Sequence, residues 1–294
     1  MDPDLDQLRA LAAAVEHGSL DAAARVLHVT PSAVSQRLRS LEAATGQVLL
    51  VRSRPARATP AGEALVRAAR QVDLLLADAA REVAPAGARP VLPLAVNADS
   101  LATWVLPALA SIADDVLVDV RREDQTGTGT LLRDGTVVAA VTTEAQPVAG
   151  CRVTPLGAMR YRPVAAPALA VRWFPDGVSP SALANAPAVV FDRADDLQHA
   201  YLRRRRVDGT PPTHYVPSSA DFLTAVLLGM GWGMLPDLQA GRHLGSGALV
   251  ELDPAGAVDV RLHWQRWALR TPALDALTDA VLAAARRELR PVRP

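Results

Sequence analysis

Gly18-Ser19-Leu20-Asp21-Ala22-Ala23-Ala24 and, after two residues, Leu27-His28-Val29-Thr30-Pro31-Ser32-Ala33-Val34-Ser35-Gln36-Arg37-Leu38 hold the decisive pattern of caps and apolar steps. Upstream, Leu5, Leu8, Ala12 and Val15 recur at helical spacing until Gly18 ends the run. Ser19 caps a second, short helix through Ala22, Ala23, Val26 and Leu27. His28-Val29 is a tight connection. Thr30 then serves as an N-cap, and Pro31 takes the first helical position, where its missing N–H is no loss. This third helix buries Val34, Leu38 and Leu41, shows Ser32, Ser35, Gln36, Arg39 and Ser40 on its other face, and closes at Gly46. Val48 to Val51 leads into Arg52-Ser53-Arg54-Pro55-Ala56-Arg57, which reads as a β-turn wing.

Two helices across a tight turn, the second polar on its outer face, match helix-turn-helix geometry. The DNA major groove admits one helix, and its base edges require side chains that donate or accept. Ser32, Ser35, Gln36 and Arg39 are of that kind, and Thr30 and Pro31 form the leading end of the same surface. Arg52, Arg54 and Arg57 would lie along phosphates. The competing reading is an ordinary three-helix unit with a polar exterior. Charge bears on the choice. Residues 22–62 hold Arg25, Arg37, Arg39, Arg52, Arg54 and Arg57 against Glu42 alone, whereas residues 1–21 hold Arg9 against five acids. A basic block in a chain of zero net charge suggests a surface built for a polyanion, the alternative being a merely solvated face.

From Thr59, which caps, and Pro60, which starts a helix, Leu65, Ala68, Val72, Leu75 and Ala79 follow alternating steps of three and four. Leu65, Val72 and Leu75 are the candidate dimer seam, because a half-site reader needs a two-fold partner. The alternative is a stripe that packs on its own domain. The expected division is 1–58 for the reading head, 59–84 for the linker helix and 85–90 (Pro85-Ala86-Gly87-Ala88-Arg89-Pro90) for a hinge. Residues 91–294 form the remainder, with lobes at about 91–162 plus 268–294, and 163–267.

Beyond the hinge the chain alternates strand and helix, an α/β order. Strands are expected at Val91–Val96, Val116–Val120, Val137–Val141, Ala188–Phe191, Thr213–Val216, Trp232–Leu235 and Leu262–Trp267, with Cys151–Pro163 as an extended crossing segment. Helices are expected at Ser100–Ala113, Gly129–Arg133, Asp195–Arg206, Ser219–Leu228 and Ala273–Leu289. No dinucleotide fingerprint, P-loop or Gly-x-Ser-x-Gly elbow is complete, and the histidines show no paired metal spacing. An enzyme is therefore not expected. The 294 residues, half of them hydrophobic, hold no apolar run of the roughly 18 residues that would span a bilayer. The acidic start does not resemble a secretory signal, and the lone Cys151 forms no internal disulfide. The expectation is a cytoplasmic protein without membrane contact.

Ligands of open α/β sheets sit outside the carboxyl ends of strands. The first strand ends at Asn97-Ala98-Asp99-Ser100, others at Glu123-Asp124-Gln125 and Thr142-Thr143-Glu144. A helix starting at Ser100 would seat a carboxylate on its N–H groups, and Asp99 or Glu144 would hold an ammonium. Acidic groups at several strand ends around one crevice suggest a cationic ligand. The blander reading makes Asp99 only an N-cap.

The opening stretch, with Leu41-Glu42, Gly46 and Thr59-Pro60-Ala61-Gly62, resembles the LysR-type transcriptional regulators. That resemblance spans the chain. It implies a winged helix-turn-helix, a long dimerising linker helix and a two-lobed effector-binding domain of periplasmic-binding-protein type. Within the family, Val96 to Trp104, Glu123-Asp124-Gln125, Thr142-Thr143-Glu144, Met159-Arg160-Tyr161, Gly231 to Pro236 and Trp264-Gln265-Arg266-Trp267 look like the branch that responds to basic amino acids. The implied function is transcriptional control of a lysine or arginine exporter, with the amino acid as small-molecule effector and no cofactor; for such a ligand Glu123 or Asp124 would take the distal cation, and Trp104, one turn past Ser100, would wall the aliphatic stem. The implied partners are an interrupted inverted-repeat operator in double-stranded DNA, further copies of the chain as dimer or tetramer, and RNA polymerase if it activates. A regulator of another pathway with a different metabolite is the alternative. One departure stands out: the chain has no lysine, so its phosphate contacts fall to arginine and neutral donors.

Overall fold

The computed structural model describes residues 3–83, 89–123 and 127–292. Helices α1 (Leu5–Glu16), α2 (Leu20–Val26) and α3 (Pro31–Thr45) enclose a core of Leu11, Val34, Leu38 and Leu41. The expected caps hold each start: Ser19 Oγ accepts from Ala22 N–H, and Thr30 Oγ1 from Ala33 N–H. Gly46 ends α3 at φ +66°, in the left-handed region that suits glycine. The wing is the antiparallel pair β1 (Leu50–Val51) and β2 (Arg57–Ala58). It is tied to α3 through Glu42 Oε1, which accepts from Leu49 N–H at 2.9 Å, and to the α1–α2 turn by Ala56 N–H on Gly18 O.

Helix α4 (Pro60–Val83) follows. Its first half belongs to the reading head: Val66 and Ala69 are buried there, with Leu65 packed beside them. Farther along, Leu74 packs on the core of the C-terminal half. Arg67 donates to Arg133 O at 2.8 Å, and Arg70 pairs with Glu16 at 3.3 Å. The α4 backbone comes so near Gly135 (φ +78°) that an added Cβ would lie 3.0 Å from Arg67 Cα. The stripe expected as one seam is thus divided. Leu65 is partly absorbed by its own chain, Val72 is half-buried outside every core cluster, and Leu75 is exposed.

The C-terminal half begins with β3 (Val91–Val96), α5 (Ala98–Ser100), a π-helical turn (Leu101–Val105) and α6 (Leu106–Ala110). Next come β4 (Leu117–Arg122), α7 (Thr128–Arg133), β5 (Ala139–Thr142) and the long β6 (Cys151–Ala165). Helices α8 (Pro167–Trp173) and α9 (Pro180–Asn185) lead to β7 (Ala188–Val190), α10 (Leu197–Arg204), β8 (Thr213–Tyr215) and α11 (Ser219–Leu227). The chain continues through β9 (Gly233–Pro236), α12 (Asp237–Gly245), β10 (Val250–Glu251), β11 (Val258–Trp267) and α13 (Pro272–Glu288).

Strand β3 runs parallel to β4 and β5, while β11 is antiparallel to both β5 and β6. Beyond its β11 contact, β6 pairs with β9 and β10, so β6 and β11 carry the sheet from one lobe into the other. The parallel pair β7–β8 adjoins through a bridge from Ala188 to Trp232. Helix α13 returns to the first lobe, burying Leu274, Leu277 and Val281 with Leu94, Trp104 and Leu109. Helices α8, α9 and α12 are additions to the expected elements. Each starts at a Pro within its first turn or directly after one, so the Pro that reads as a loop breaker in sequence is here a helix starter.

Candidate functional site

Two surfaces carry polar groups that the fold leaves available. On the first, Thr30, Pro31, Ser32, Gln36 and Arg39 are exposed and Ser35 is half-buried along one side of α3. Thr30 is engaged in capping and lies 2.9 Å from Ser32 Oγ, while Ser35 Oγ accepts from Arg39 Nη1 at 2.7 Å. The basic block separates into two groups. Arg37 is paired with Asp6 at 2.6 Å, so it is spent within the domain. Arg52, Arg54 and Arg57 stand exposed on the wing, outside any ion pair among the described residues. Unpaired guanidinium groups beside a protruding polar helix can meet phosphates without first breaking a salt bridge.

The second is a cavity of about 130 Å³ between the lobes. Asn97, Ala98 and Asp99 enter from the end of β3, Tyr161 from β6, Asp192 and Asp195 from the segment joining β7 to α10, and Gln198 from α10 itself. Phe222, Met234, Leu235 and Val260 supply apolar wall. Asp99 accepts from the Tyr161 hydroxyl at 2.8 Å and from Ser219 Oγ at 2.7 Å. Ser219 Oγ in turn accepts from Gln239 Nε2 at 2.8 Å. Burial raises the Asp99 carboxyl above the usual carboxylate range, and the Ser219 and Tyr161 hydroxyls only partly oppose it. Asp195 is raised too, by burial first and by repulsion from Asp99 and Asp192, against backbone N–H groups that lower it. Asp192 Oδ1 accepts from the N–H groups of Ala194 and Asp195. Among the described residues no arginine or histidine lines the cavity. Three carboxylates at an enclosed site without a matching cation are costly until one arrives, so the arrangement suits a positively charged ligand.

The sequence-based candidates sort unevenly. Asp99 lines the cavity, but it is not the helix cap. Asn97 is the cap, its Oδ1 accepting from Ser100 N–H at 2.8 Å, and the helix starts at Ala98. The Ser100 N–H is therefore spent rather than offered to a carboxylate. Ser100 itself is fully buried, outside the lining, its hydroxyl without a partner. Trp104 is a core residue, 1% exposed and away from the lining. Glu123 and Glu144 also miss the cavity: their carboxylates lie against Gly127 and Gly129, at the start of α7. Asp124 falls outside the described residues. Tyr161, Asp192, Asp195, Gln198 and Ser219 were missed as individual site residues, although Tyr161 stood in one of the resemblance motifs. The strand-end rule that found Asp99 would have found Asp192 and Asp195 had it been applied to β7 as well as to the first-lobe strands.

A winged reading head joined by a long helix to a two-lobed, ligand-sized cavity defines a ligand-responsive DNA-binding regulator. Residues 5–63 match the bacterial regulatory helix-turn-helix protein, lysR family, and residues 85–286 match the LysR substrate binding domain, so the chain belongs to the LysR family of transcriptional regulators. Such regulators bind DNA and form oligomers, and they are not enzymes. The chain is similar to the lysine export transcriptional regulatory protein LysG of Corynebacterium efficiens, at 46% identity over 94% of this chain and 96% of that one. The crystal structure of ArgP from Mycobacterium tuberculosis superposes with a TM-score of 0.91 at 48% identity, covering 97% of this chain and 98% of that one. Full-length LysG from Corynebacterium glutamicum with bound effector Arg gives a TM-score of 0.84 at 41% identity, covering 98% and 100%. Among the described residues no helix is long and apolar enough to cross a membrane.

Proposed function

We propose that this regulator controls the gene of a basic-amino-acid exporter, and that lysine or arginine is its effector, held in the cavity at Asp99. The carrying observation is the cavity itself, whose ionisable lining consists of carboxylates and one tyrosine. Support also comes from the relatives, one named for lysine export and one holding Arg. A thermal-shift screen of the twenty amino acids tests the reading. Lysine or arginine should raise the melting temperature and neutral or acidic amino acids should not; a shift with glutamate or leucine alone would overturn it.

The reading head acts, in this proposal, in the cytoplasm on an interrupted inverted repeat read by two copies of α3, with 59–84 joining the copies and 91–294 holding effector. RNA polymerase is the further partner where the bound form activates. Ser32, Ser35, Gln36 and Arg39 read bases, while Arg52, Arg54 and Arg57 hold phosphates. Gln36→Ala is expected to relax sequence preference, losing on the order of 1–3 kcal/mol of discrimination. Arg54→Ala should weaken all duplexes alike and flatten the salt dependence. Titrations of operator and random duplex at several salt concentrations separate the two. Unchanged discrimination in Gln36→Ala would show that α3 does not read the groove through this face.

A further inference from the structure

Gln198 is 1% exposed on α10 and lines the cavity beside Asp192 and Asp195. Its Nε2 donates to Val189 O at 3.3 Å. A backbone carbonyl can only accept, so this contact fixes the amide: the NH2 must face β7, and Oε1 must face away from it. Oε1 then has no hydrogen-bond partner. A buried acceptor left empty is unfavourable, and Asp192 and Asp195, which share the lining, bring no N–H donor from their side chains. A ligand that carries an N–H donor into the cavity would satisfy it.

The two lobes bring different chemistry to the lining. The α-carbon of an amino acid bears an ammonium and a carboxylate together, so its subsite needs an acceptor and a donor side by side. Asn97-Ala98-Asp99 offers both. Asp99 is the acceptor, and Asn97, with its Oδ1 held by Ser100 N–H, keeps its amide N–H groups as donors. The Asp192–Gln198 side brings acceptors from its side chains. Met234, Leu235 and Val260 add apolar wall suited to a methylene stem.

We infer that Gln198 is a specificity-determining residue: its Oε1 accepts a hydrogen bond from the distal ammonium or guanidinium of the effector, alongside Asp192 and Asp195. This rests on the basic-amino-acid reading of the cavity and adds which residues read the far end. The rigid orientation matters. An amide locked by its own N–H bond presents a fixed acceptor, so a ligand whose stem ends in a methyl leaves Oε1 empty and is rejected.

Calorimetry on the full-length chain with arginine, lysine and norleucine tests the inference. Norleucine keeps the α groups and a stem but has no distal donor. The wild-type chain should bind arginine or lysine well and norleucine weakly. Gln198→Leu should lose about tenfold or more for the cationic ligands while norleucine holds steady or gains, so the selectivity ratio collapses. Gln198→Glu keeps an acceptor at the same reach and should retain the preference for the cation. A preserved ratio in Gln198→Leu, or a loss in Gln198→Glu equal to that in Gln198→Leu, would overturn the role of Oε1. Failure of the underlying reading looks different: the wild-type chain would then bind neither arginine nor lysine.

Discussion

Asp99→Asn is expected to lower affinity for the basic amino acid by about tenfold to a hundredfold while leaving the ligand-free chain at least as stable as before. Asparagine keeps the size, and its side-chain oxygen can still accept from Ser219 Oγ–H. Its NH2 can face the Tyr161 hydroxyl oxygen. Because Asn97, not Asp99, caps the helix, the fold of the cavity wall is not at stake. What disappears is a buried charge. In the absence of ligand that charge is a burden, as its raised pKa shows, so its removal relieves the fold. With ligand it is one half of a charged hydrogen bond, worth roughly 1.5–3 kcal/mol, which corresponds to the stated loss. Opposite signs on stability and binding separate charge recognition from unfolding. Calorimetry with lysine and arginine, beside the melting temperature of the free chain, measures both. Wild-type affinity in this variant would remove Asp99 from the site.

The same burial sets a pH dependence. Asp99 and Asp195 are raised in the folded, ligand-free chain, so the folded state binds protons that the unfolded state has released. Their contribution favours folding below the ordinary carboxylate value of 3.8 and fades as pH rises through the raised values. Binding of a cation has the reverse sign, since it requires the ionised carboxylates. Affinity should therefore increase with pH across that window and level off above it, with protons released on binding. Calorimetry in two buffers of different ionisation enthalpy counts those protons, and Asp99→Asn should release fewer.

How far the sequence could be read follows the range of the forces involved. The reading head is legible almost to the residue because its punctuation is local: Ser19 and Thr30 cap through bonds to N–H groups three residues on, and Gly46 ends α3 by its own left-handed backbone. Asp99 is legible as the end of a strand, and what the structure removes is its blander alternative role: Asn97 and Asp99 are equally good caps two residues apart, and Asn97 takes the cap. Trp104 fails more instructively. Placing it one α-turn beyond Ser100 assumes a regular helix, but Leu101–Val105 is a π turn, which shifts the register and sends the indole into the core. Such a turn has no pattern in the residues themselves. Glu123 and Glu144 sit at strand ends like Asp99, yet the opposite wall of the cavity comes from β7 and the segment after it. Which strand ends face each other is a matter of lobe packing, fixed by β6 and β11 running through both lobes, and a one-dimensional pattern does not carry that information.

Val72→Asp on α4 should have the largest effect on assembly. In a single chain Val72 is half-buried and belongs to no core cluster, and its neighbours Leu75 and Leu76 are 42% and 46% exposed. The side of α4 that serves its own chain is occupied elsewhere, by Val66 and Ala69 in the reading head and Leu74 against the C-terminal half. A carboxylate at Val72 can therefore be solvated in the isolated chain, and the fold should survive. In a two-fold seam the substitution enters from both copies, so one change puts two carboxylates into an apolar contact. The pair must be desolvated without a partner, a cost of several kcal/mol on association. Loss of the dimer would cost operator binding more than either half-site contact does, since one half-site then binds without the second tethered beside it. Sedimentation should show smaller species, footprinting should show the operator bare, and the effector-induced rise in melting temperature should persist. Val72→Leu, apolar and only slightly larger, should keep the assembly. An unchanged oligomer in Val72→Asp would move the interface off this part of α4 and onto the C-terminal half.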